Sequence, residues 1–349
     1  QYTTQDSIIR PEKFGVDIVI HPERAACEEI TRLVKHPYAL QVMDFEAGRL
    51  TMLGLTIDKE CKDIDGIPLG KIAKNNSHFR FAVIAVLRGR DTIVPSAEFI
   101  FEEGDIGYFI IKTQDIQNLM TLLCKEITIT KRVMIIGGSK IGRTLAKELP
   151  KESFNTRLVE YNRPKAGQIS HSIDESMIIY GDGADIEFLK SENIQNVDSF
   201  ICVTENEKTN LIAGLLAKHL GAKQSIIHVS TTEYIPTIQE IGAGAVISKN
   251  LSTVNAILRE LHTDMTEIPV LTFDEIEVDV IEFEPEPNSP VTQRPLKELN
   301  IPDDCIIGMI NHHGKIRIAH GTSILTEDDI ALVFAKPKAV SKIKKLFLS

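Results

Sequence analysis

The sequence has 349 residues, which at about 150 residues per domain corresponds to two or three compact units. Its 39 Lys and Arg residues against 49 Asp and Glu residues give a formal net charge of -10, which argues against nucleic acid as a partner. Hydrophobic residues make up 43% and charged residues 25%, as in folded globular proteins. No apolar run reaches the roughly 20 residues of a membrane helix.

The cysteine pattern indicates neither a disulfide framework nor a zinc ribbon. The five cysteines are odd in number, widely spaced and without a Cys-x-x-Cys pair. They are Cys27, Cys61, Cys124, Cys202 and Cys305. A reducing cytoplasm fits this pattern best.

The chain contains an internal duplication. Residues 15–34 resemble residues 242–261, so that Gly15 pairs with Gly242 at an offset of 227. The unit between the copies, about residues 131–228, has no counterpart before the first copy. Because this counterpart would have to precede Gln1, we expect a unit of roughly a hundred residues upstream.

In chain order, residues 1–35 are predicted to end a first unit, and residues 36–130 to form a first β domain. Within that domain, residues 82–87 and 91–94 predict two strands joined by a tight turn at Arg88-Gly89.

Residues 131–262, the central unit, alternate short apolar runs with helical patterns, which is typical of parallel βαβ units. The predicted strands are 132–137, 157–160, 177–181, 199–203, 225–229 and 245–247. The predicted helices are 140–149, 185–191, 207–219, 234–241 and 253–262. We expect Asp185 and Ser252 to cap two of these helices.

Residues 263–349 predict a second β domain. Ile276, Val278 and Val280 alternate with acidic residues, so the acidic run 274–286 is interpreted as a solvated strand face rather than a metal site. Residues 305–310 and 315–319 predict a hairpin with His312-His313-Gly314 at its turn.

A glycine-rich turn follows the first strand of the central unit. It reads Gly137-Gly138-Ser139-Lys140-Ile141-Gly142, in the strand-turn-helix context of a dinucleotide fingerprint. Gly137 permits the turn and Gly142 lets the helix pack, but Ser139 replaces the glycine that lets a pyrophosphate approach bare backbone. For the glycine turn taken alone, a packing corner without phosphate is the alternative, and the polar residues that follow the next strands favour the nucleotide site.

Polar residues follow the next strands, where the ligand crevice of a parallel sheet lies. Glu160 ends the second strand, where a carboxylate accepts hydrogen bonds from a ribose and disfavours NADP, although Arg163 keeps NADP possible. Asp182 is expected either near an adenosine or as a helix cap. Thr204-Glu205 follows the fourth strand.

These motifs, with Gly-Asp-Gly-Ala-Asp at 181–185 and Val-Thr-Glu-Asn-Glu-Lys-Thr-Asn at 203–210, resemble the RCK (also called KTN) family over essentially the whole chain. The resemblance implies an α/β fold: a doubly wound, parallel Rossmann-like sheet flanked by two small β-rich α+β domains. The implied domains are 1–35, 36–130, 131–262 and 263–349.

The resemblance also implies a function without catalysis or a metal. The chain would form a ring by self-association, bind NAD(H) or ATP/ADP, and gate a membrane-embedded potassium-translocating subunit from the cytoplasmic face of the membrane. The implied nucleotide-site residues are Gly137, Gly138, Ser139, Lys140, Ile141, Gly142, Glu160, Tyr161, Arg163, Gly181, Asp182, Thr204 and Glu205.

Two alternatives remain open. An NAD-dependent oxidoreductase would need an acid-base group near the nicotinamide, and the two β domains offer no evident His-Asp or Lys-Tyr pair. A ligand-free dimerisation module is motivated only by Ser139. Binding of NADH without turnover would separate the regulatory protein from the oxidoreductase, and no nucleotide binding at all would favour the ligand-free module.

Overall fold

The computed structural model describes residues 18–58, 61, 63–127, 129–262, 273 and 276–348. Predictions for residues 1–17, Asp274 and Glu275 therefore lie outside the described residues. Within the described ranges, the chain forms one parallel sheet and two antiparallel sheets. The predicted fold class, a parallel α/β unit flanked by two β-rich domains, is confirmed.

The first β domain follows a helix, α1 (Pro22–Lys35). Its antiparallel sheet has the order β1-β2-β5-β3-β4, and β3 and β4 form the predicted hairpin. The strands are β1 (Gln41–Phe45), β2 (Leu50–Thr56), β3 (Phe81–Arg88), β4 (Asp91–Ile93) and β5 (Ile106–Lys112). The helices are α2 (Leu69–Asn75) and α3 (Ile116–Leu122).

The central unit holds six parallel strands in the order β11-β10-β9-β6-β7-β8. From β6 to β8 successive strands are added on one side of β6, and from β9 to β11 on the other side, so the strand order reverses between β6 and β9. The strands are β6 (Arg132–Ile136), β7 (Asn155–Glu160), β8 (Met177–Tyr180), β9 (Ser199–Cys202), β10 (Gln224–Val229) and β11 (Ala245–Ser248). The helices are α4 (Lys140–Glu148), α5 (Arg163–Ser170), α6 (Ile186–Ser191), α7 (Glu207–His219), α8 (Ile235–Glu240) and α9 (Lys249–His262).

Local sequence explains most of these helix starts. The predicted cap Asp185 is confirmed, since its Oδ1 accepts a hydrogen bond of 2.7 Å from the Phe188 N–H at the start of α6. The predicted cap Ser252 is wrong, because α9 already begins at Lys249. The Ser252 hydroxyl lies inside that helix, 2.9 Å from the Ser248 carbonyl oxygen.

The second β domain packs its sheet against the sheet of the first. Its order is β12-β15-β13-β14, with the strands β12 (Asp279–Phe283), β13 (Cys305–His312), β14 (Lys315–Ile318) and β15 (Asp329–Ala335). Its helices are α10 (Pro290–Gln293) and α11 (Pro337–Lys344). A shared core joins the two sheets, with Tyr108 and Ile84 from the first and Val280 and Phe334 from the second. The apolar side chains of the predicted alternation, Ile276, Val278 and Val280, are thus buried against the first domain.

The duplication is visible in the helices. α9 begins and ends 227 residues after α1, and the two helices pack against each other. Residues 22–35 therefore stand in the first repeat where α9 stands in the second.

The expectation of a chain without disulfides is wrong for one pair of cysteines. Cys61 and Cys124 form a disulfide between the loop after β2 and the residues after α3, with Cα atoms 5.5 Å apart. The pair is separated by 63 residues, so sequence spacing alone does not reveal that these segments meet.

Among the helices in the described ranges, none combines the length and apolar character that crossing a lipid bilayer requires.

Candidate functional site

The candidate site lies at the carboxyl ends of the central strands, where a doubly wound sheet forms its ligand crevice. A cavity of about 380 Å³ opens beside the ends of β6, β7 and β8. Its walls are the glycine-rich turn, the ends of β7 and β8, and the loop after β9. A second cavity of about 310 Å³ lies on the other side of the turn, beside β9 and β10.

Two glycines of the turn after β6 lie too close to neighbouring backbone atoms to carry a side chain. Gly137 has a φ of +106°, and a Cβ there would lie 2.7 Å from the Thr204 Cα. A Cβ at Gly142 would collide with the carbonyl oxygen of Gly137. These two glycines hold α4 tightly against β6 and aim its amino end at the crevice.

The Ser139 hydroxyl is tied into the turn by two hydrogen bonds. It accepts a hydrogen bond of 3.2 Å from the Gly142 N–H and donates one of 2.6 Å to the Val203 carbonyl oxygen. Ser139 thus caps α4 and ties the turn to β9. Since the first N–H groups of a helix have no intrahelical acceptors, the amides of Lys140 and Ile141 suit an anion.

Glu160 is held rigidly at the end of β7. The residue is 7% exposed, and its carboxylate accepts hydrogen bonds of 2.8 Å from the N–H groups of both Gly138 and Asn162. Lys165 Nζ lies 3.3 Å from Glu160 Oε2. A carboxylate has about four acceptor positions, so at least one remains for a ligand hydroxyl.

The outer wall of the first cavity carries an exposed aromatic ring and an exposed carboxylate. Tyr161 is 72% exposed and lines the cavity beside Glu160. Asp182 also lines it and accepts a hydrogen bond of 2.9 Å from the Ala184 N–H. Because Asp185 caps α6, the alternative role of Asp182 as the cap of that helix is wrong.

The opposite wall is fixed by a residue that the sequence analysis did not single out. Asn210 is buried on α7, and its Oδ1 accepts hydrogen bonds from the Thr204 N–H and hydroxyl at 2.9 and 2.6 Å. Its amide donates to the carbonyl oxygens of Thr204 and His228. Asn210 therefore fastens the loop after β9 to the end of β10.

The second cavity contains mixed charges and a neutral histidine. Lys140, Glu205 and His228 line it. Burial, followed by the charge of Lys249, lowers the pKa of His228 from its usual 6.5, so the imidazole is uncharged at neutral pH. Hydrogen bonds from the Ser230 N–H and then the Thr231 hydroxyl lower the pKa of Glu207.

The structure brings most of the predicted site residues to these two cavities. Nine line the first: Gly137, Gly138, Ser139, Glu160, Tyr161, Gly181, Asp182, Thr204 and Glu205. Lys140 and Ile141 line the second. Gly142 lies outside both linings and packs against the Gly137 carbonyl oxygen. Arg163 also lies outside both linings, with its guanidinium 5.9 Å from the centre of the Tyr180 ring.

Further lining residues of the first cavity were missed: Lys165, Gly183, Ala184, Asn206 and Thr209. Asn206 and Thr209 lie within the motif at 203–210, and their place directly after a strand end was an available signal. Lys165 reaches the site from the first turn of α5, a helix that the sequence analysis did not predict.

Two family models match the chain. The TrkA-N domain matches residues 133–249, and the TrkA-C domain matches residues 280–348. Among curated proteins, "Trk system potassium uptake protein TrkA homolog 2" of Methanosarcina mazei is 28% identical over 335 residues, covering 95% of this chain and 73% of the relative. "Trk system potassium uptake protein TrkA" of Vibrio alginolyticus is 28% identical over 346 residues, covering 98% and 75%.

Solved structures share the fold. A crystal structure of the GsuK RCK domain matches 96% of this chain and 71% of its own, with a TM-score of 0.51 and 18% identity. The GsuK channel bound to NAD matches 96% of this chain and 59% of its own, with a TM-score of 0.51 and 17% identity.

Proposed function

From the premise that this chain belongs to the TrkA family, with a TrkA-N domain followed by a TrkA-C domain, we propose that it is a regulatory subunit of a potassium uptake system. It binds NAD(H), or ATP or ADP, in the crevice between Gly137 and Thr204. Binding biases its conformation and so gates a membrane-embedded potassium-translocating subunit of the TrkH/TrkG type. The observation that carries the proposal is the turn that places the amino end of α4 beside the Glu160 carboxylate.

The first cavity suits an adenosine. Glu160 is fixed by three donors of its own chain and keeps an acceptor position for a ribose hydroxyl. The exposed ring of Tyr161 offers a flat apolar face beside it for a purine. The contact between Lys165 and Glu160 leaves this corner less negative than the carboxylate alone would make it.

The phosphates belong at the amino end of α4. The N–H groups of Lys140 and Ile141 and the positive end of the helix dipole both favour an anion there. Because Ser139 turns its hydroxyl to the Gly142 N–H and the Val203 carbonyl, it supports this arrangement and does not block it. The second cavity continues from this point and leaves room for the second half of a dinucleotide.

Regulation of this kind needs no bond-making step. A ligand that binds one conformation better than another shifts the population by its differential affinity. We infer a chain that self-associates into a ring and works at the cytoplasmic face of the membrane through its partner. The ring would couple nucleotide binding in each copy to the transport subunit.

The proposal is tested by titrating the full chain with NADH, NAD, NADPH, ATP and ADP. Glu160→Gln removes the charge that holds the ribose, and we expect NADH binding to weaken by about 1 to 3 kcal/mol, roughly 5- to 150-fold. Glu187→Gln is the matched control, since Glu187 is exposed on α6 outside the cavity lining. Circular dichroism checks the fold of both variants.

Each other outcome points to a different protein. Equal affinity in Glu160→Gln would remove Glu160 from the site. Turnover of NADH with a carbonyl substrate would favour the oxidoreductase, and the absence of any nucleotide binding would favour the ligand-free module. The gating step is tested by potassium flux into vesicles that contain the transport subunit, with and without this chain and NADH.

A further inference from the structure

The Cys61–Cys124 disulfide differs chemically from the other cysteines of the chain. Cys27, Cys202 and Cys305 are buried free thiols. Burial raises the pKa of Cys27 and of Cys305 to about 12 and raises the pKa of Cys202 as well. Since the thiolate is the reactive form, these three cysteines are inert in the folded protein. Thiol chemistry in the native chain is therefore confined to the disulfide.

The two cysteines of this disulfide are unequally exposed. Cys61 is 1% exposed, whereas Cys124 is exposed to solvent. A thiolate from solution can thus reach Cys124 more readily than Cys61. Accessible disulfides are the ones that exchange readily with small thiols.

The disulfide stands where the chain leaves the first β domain for the central unit. Cys124 follows α3 with a φ of +53°, and Lys125 donates a hydrogen bond of 2.9 Å to the Met120 carbonyl oxygen. The ammonium group of Lys125 lies 2.6 Å from Asp58, in the loop that also carries Cys61. Seven residues after Lys125, the chain enters β6 at Arg132. Disulfide and ion pair together anchor the start of this linker.

We propose that Cys124 is a site of reversible thiol-disulfide exchange with small thiols such as glutathione, and that exchange releases the linker between the first β domain and the central unit. The proposal rests on the proposed function in one respect: it takes from it that the chain lies in the cytoplasm, which such thiols keep reduced. Disulfides there are usually transient or redox-sensing.

The exchange is balanced in two steps. A small thiolate attacks Cys124 Sγ, a mixed disulfide forms, and the electron pair of the broken bond goes to Cys61 Sγ, which takes up a proton. The Leu122 carbonyl oxygen, 2.9 Å from Cys61 Sγ, accepts a hydrogen bond from the new thiol. A second small thiolate then attacks the small-molecule sulfur of the mixed disulfide. Cys124 leaves as a thiolate and takes up a proton, and the two small molecules form a disulfide. The reverse reaction uses that small disulfide as the oxidant.

The test uses the full chain in glutathione buffers of defined ratio, quenched with acid, alkylated under denaturing conditions and mapped by mass spectrometry. We expect three alkylated cysteines in the oxidised chain and five after millimolar reduced glutathione, the two new ones being Cys61 and Cys124. Trypsin should then cut after Lys125 several-fold faster than in the oxidised chain.

Two matched variants identify the attacked sulfur. With oxidised glutathione, Cys61→Ser should accumulate a glutathione adduct on Cys124, because the resolving cysteine is missing. Cys124→Ser should form an adduct on Cys61 at least tenfold more slowly, because that sulfur is buried. Both variants lack the disulfide, so the loss of that cross-link is shared, and the wild-type mapping decides if neither variant folds.

A pair that stays oxidised in millimolar reduced glutathione, or equal adduct formation in the two variants, would overturn the proposal. None of these measurements uses a nucleotide. A failure of NADH binding would therefore leave the exchange site intact, and a failure of exchange would leave the nucleotide proposal intact.

Discussion

The two β domains bury an aspartate at the same point of the same topology and neutralise it differently. Asp105 precedes β5 and Asp329 begins β15, at an offset of 224, with exposures of 1% and 0%. In both domains the backbone N–H three residues earlier, from Glu102 or Thr326, donates to the carboxylate. The same offset relates the residues that face the two aspartates, Arg88 and His312.

The partner of the carboxylate is what changed between the copies. Arg88 binds both oxygens of Asp105 at 2.8 Å, a bidentate pair with a permanent charge. His312 makes one contact of 2.9 Å to Asp329, and the permanent charge comes from Arg317 on β14 at 3.1 Å. In both domains a permanent cation thus lies beside the buried carboxylate, but Arg88 comes from β3 and Arg317 from β14.

The largest expected effect comes from removing Arg88, which leaves Asp105 buried and unpaired. Arg88→Met should lower the free energy of unfolding by about 3 to 5 kcal/mol. His312→Leu should lower it by only about 0.5 to 1.5 kcal/mol, because Arg317 and the Thr326 N–H still hold Asp329. Urea denaturation measures both.

The control for this pair is Arg90→Met, which removes an exposed contact of 3.3 Å to Glu240 and should cost about 0 to 1 kcal/mol. Equal losses in Arg88→Met and His312→Leu would show that the two domains depend on these residues alike. The two sites would then differ in the arrangement of their contacts but not in how much each contact contributes to stability.

A smaller effect is expected at the bulge shared by both domains. The pairing of β3 with β5 shifts register at Ile84, and that of β13 with β15 shifts at Gly308, again 224 residues later. A Cβ at Gly308 would lie 2.6 Å from the buried Phe334 ring. Gly308→Ala should therefore cost about 1 to 3 kcal/mol through overpacking.

Ile84 occupies the equivalent bulge position in the first β domain, where a large side chain fills the core instead of a glycine. It is fully buried in the core shared by the two sheets, so Ile84→Val should cost about 0.5 to 1.5 kcal/mol by removing a methylene group. Thermal denaturation of both variants compares the two sites. A neutral Gly308→Ala would mean that the Phe334 ring can move aside.

The smallest effect is a dependence on pH at His320, in the loop after β14. Burial, followed by the charges of Arg80 and Arg317, lowers the pKa of His320 from its usual 6.5. The unfolded chain then binds more protons than the folded one, so this contribution to stability is complete above pH 6.5 and is lost as the pH falls through the lowered value.

Urea midpoints at pH 7.5 and 5.5 should therefore differ slightly more for the wild type than for His320→Asn. The comparison between proteins is needed because His36 and His228, whose pKa values are also lowered, contribute in the same direction in both. Identical pH dependence in the two proteins would contradict a contribution from His320.

The strands of the central unit were predicted to within two residues of their observed ends. Continuous apolar runs bounded by glycine and charged residues are characteristic of buried parallel strands. The helix α9 begins four residues before the predicted start because Lys249-Asn250-Leu251 continues directly from β11 without a cap-forming loop. Within the central unit, prediction therefore failed mainly at this boundary and at α5. In the β domains, the strands β1, β2, β5 and β15 and the helices α2, α3, α10 and α11 were not predicted.

The site was predictable where its residues follow strand ends in sequence. Glu160, Asp182 and Thr204 meet because parallel strands end at one edge of the sheet. Lys165 and Asn210 reach the site from helices, and whether a helical side chain faces the crevice depends on packing that sequence spacing does not encode. The Cys61–Cys124 disulfide was missed because sequence spacing does not show that two segments 63 residues apart pack together.

The face-to-face packing of the two β sheets joins surfaces that belong to one polypeptide. Dilution therefore cannot dissociate them, unlike the halves of a homodimer, and each half is free to accumulate substitutions without changing the other. Arg88 and His312 occupy equivalent places yet differ, which a symmetric assembly of identical chains would not permit. Because the two sheets that form this contact are separate stretches of sequence, a substitution on one side leaves the other side unchanged.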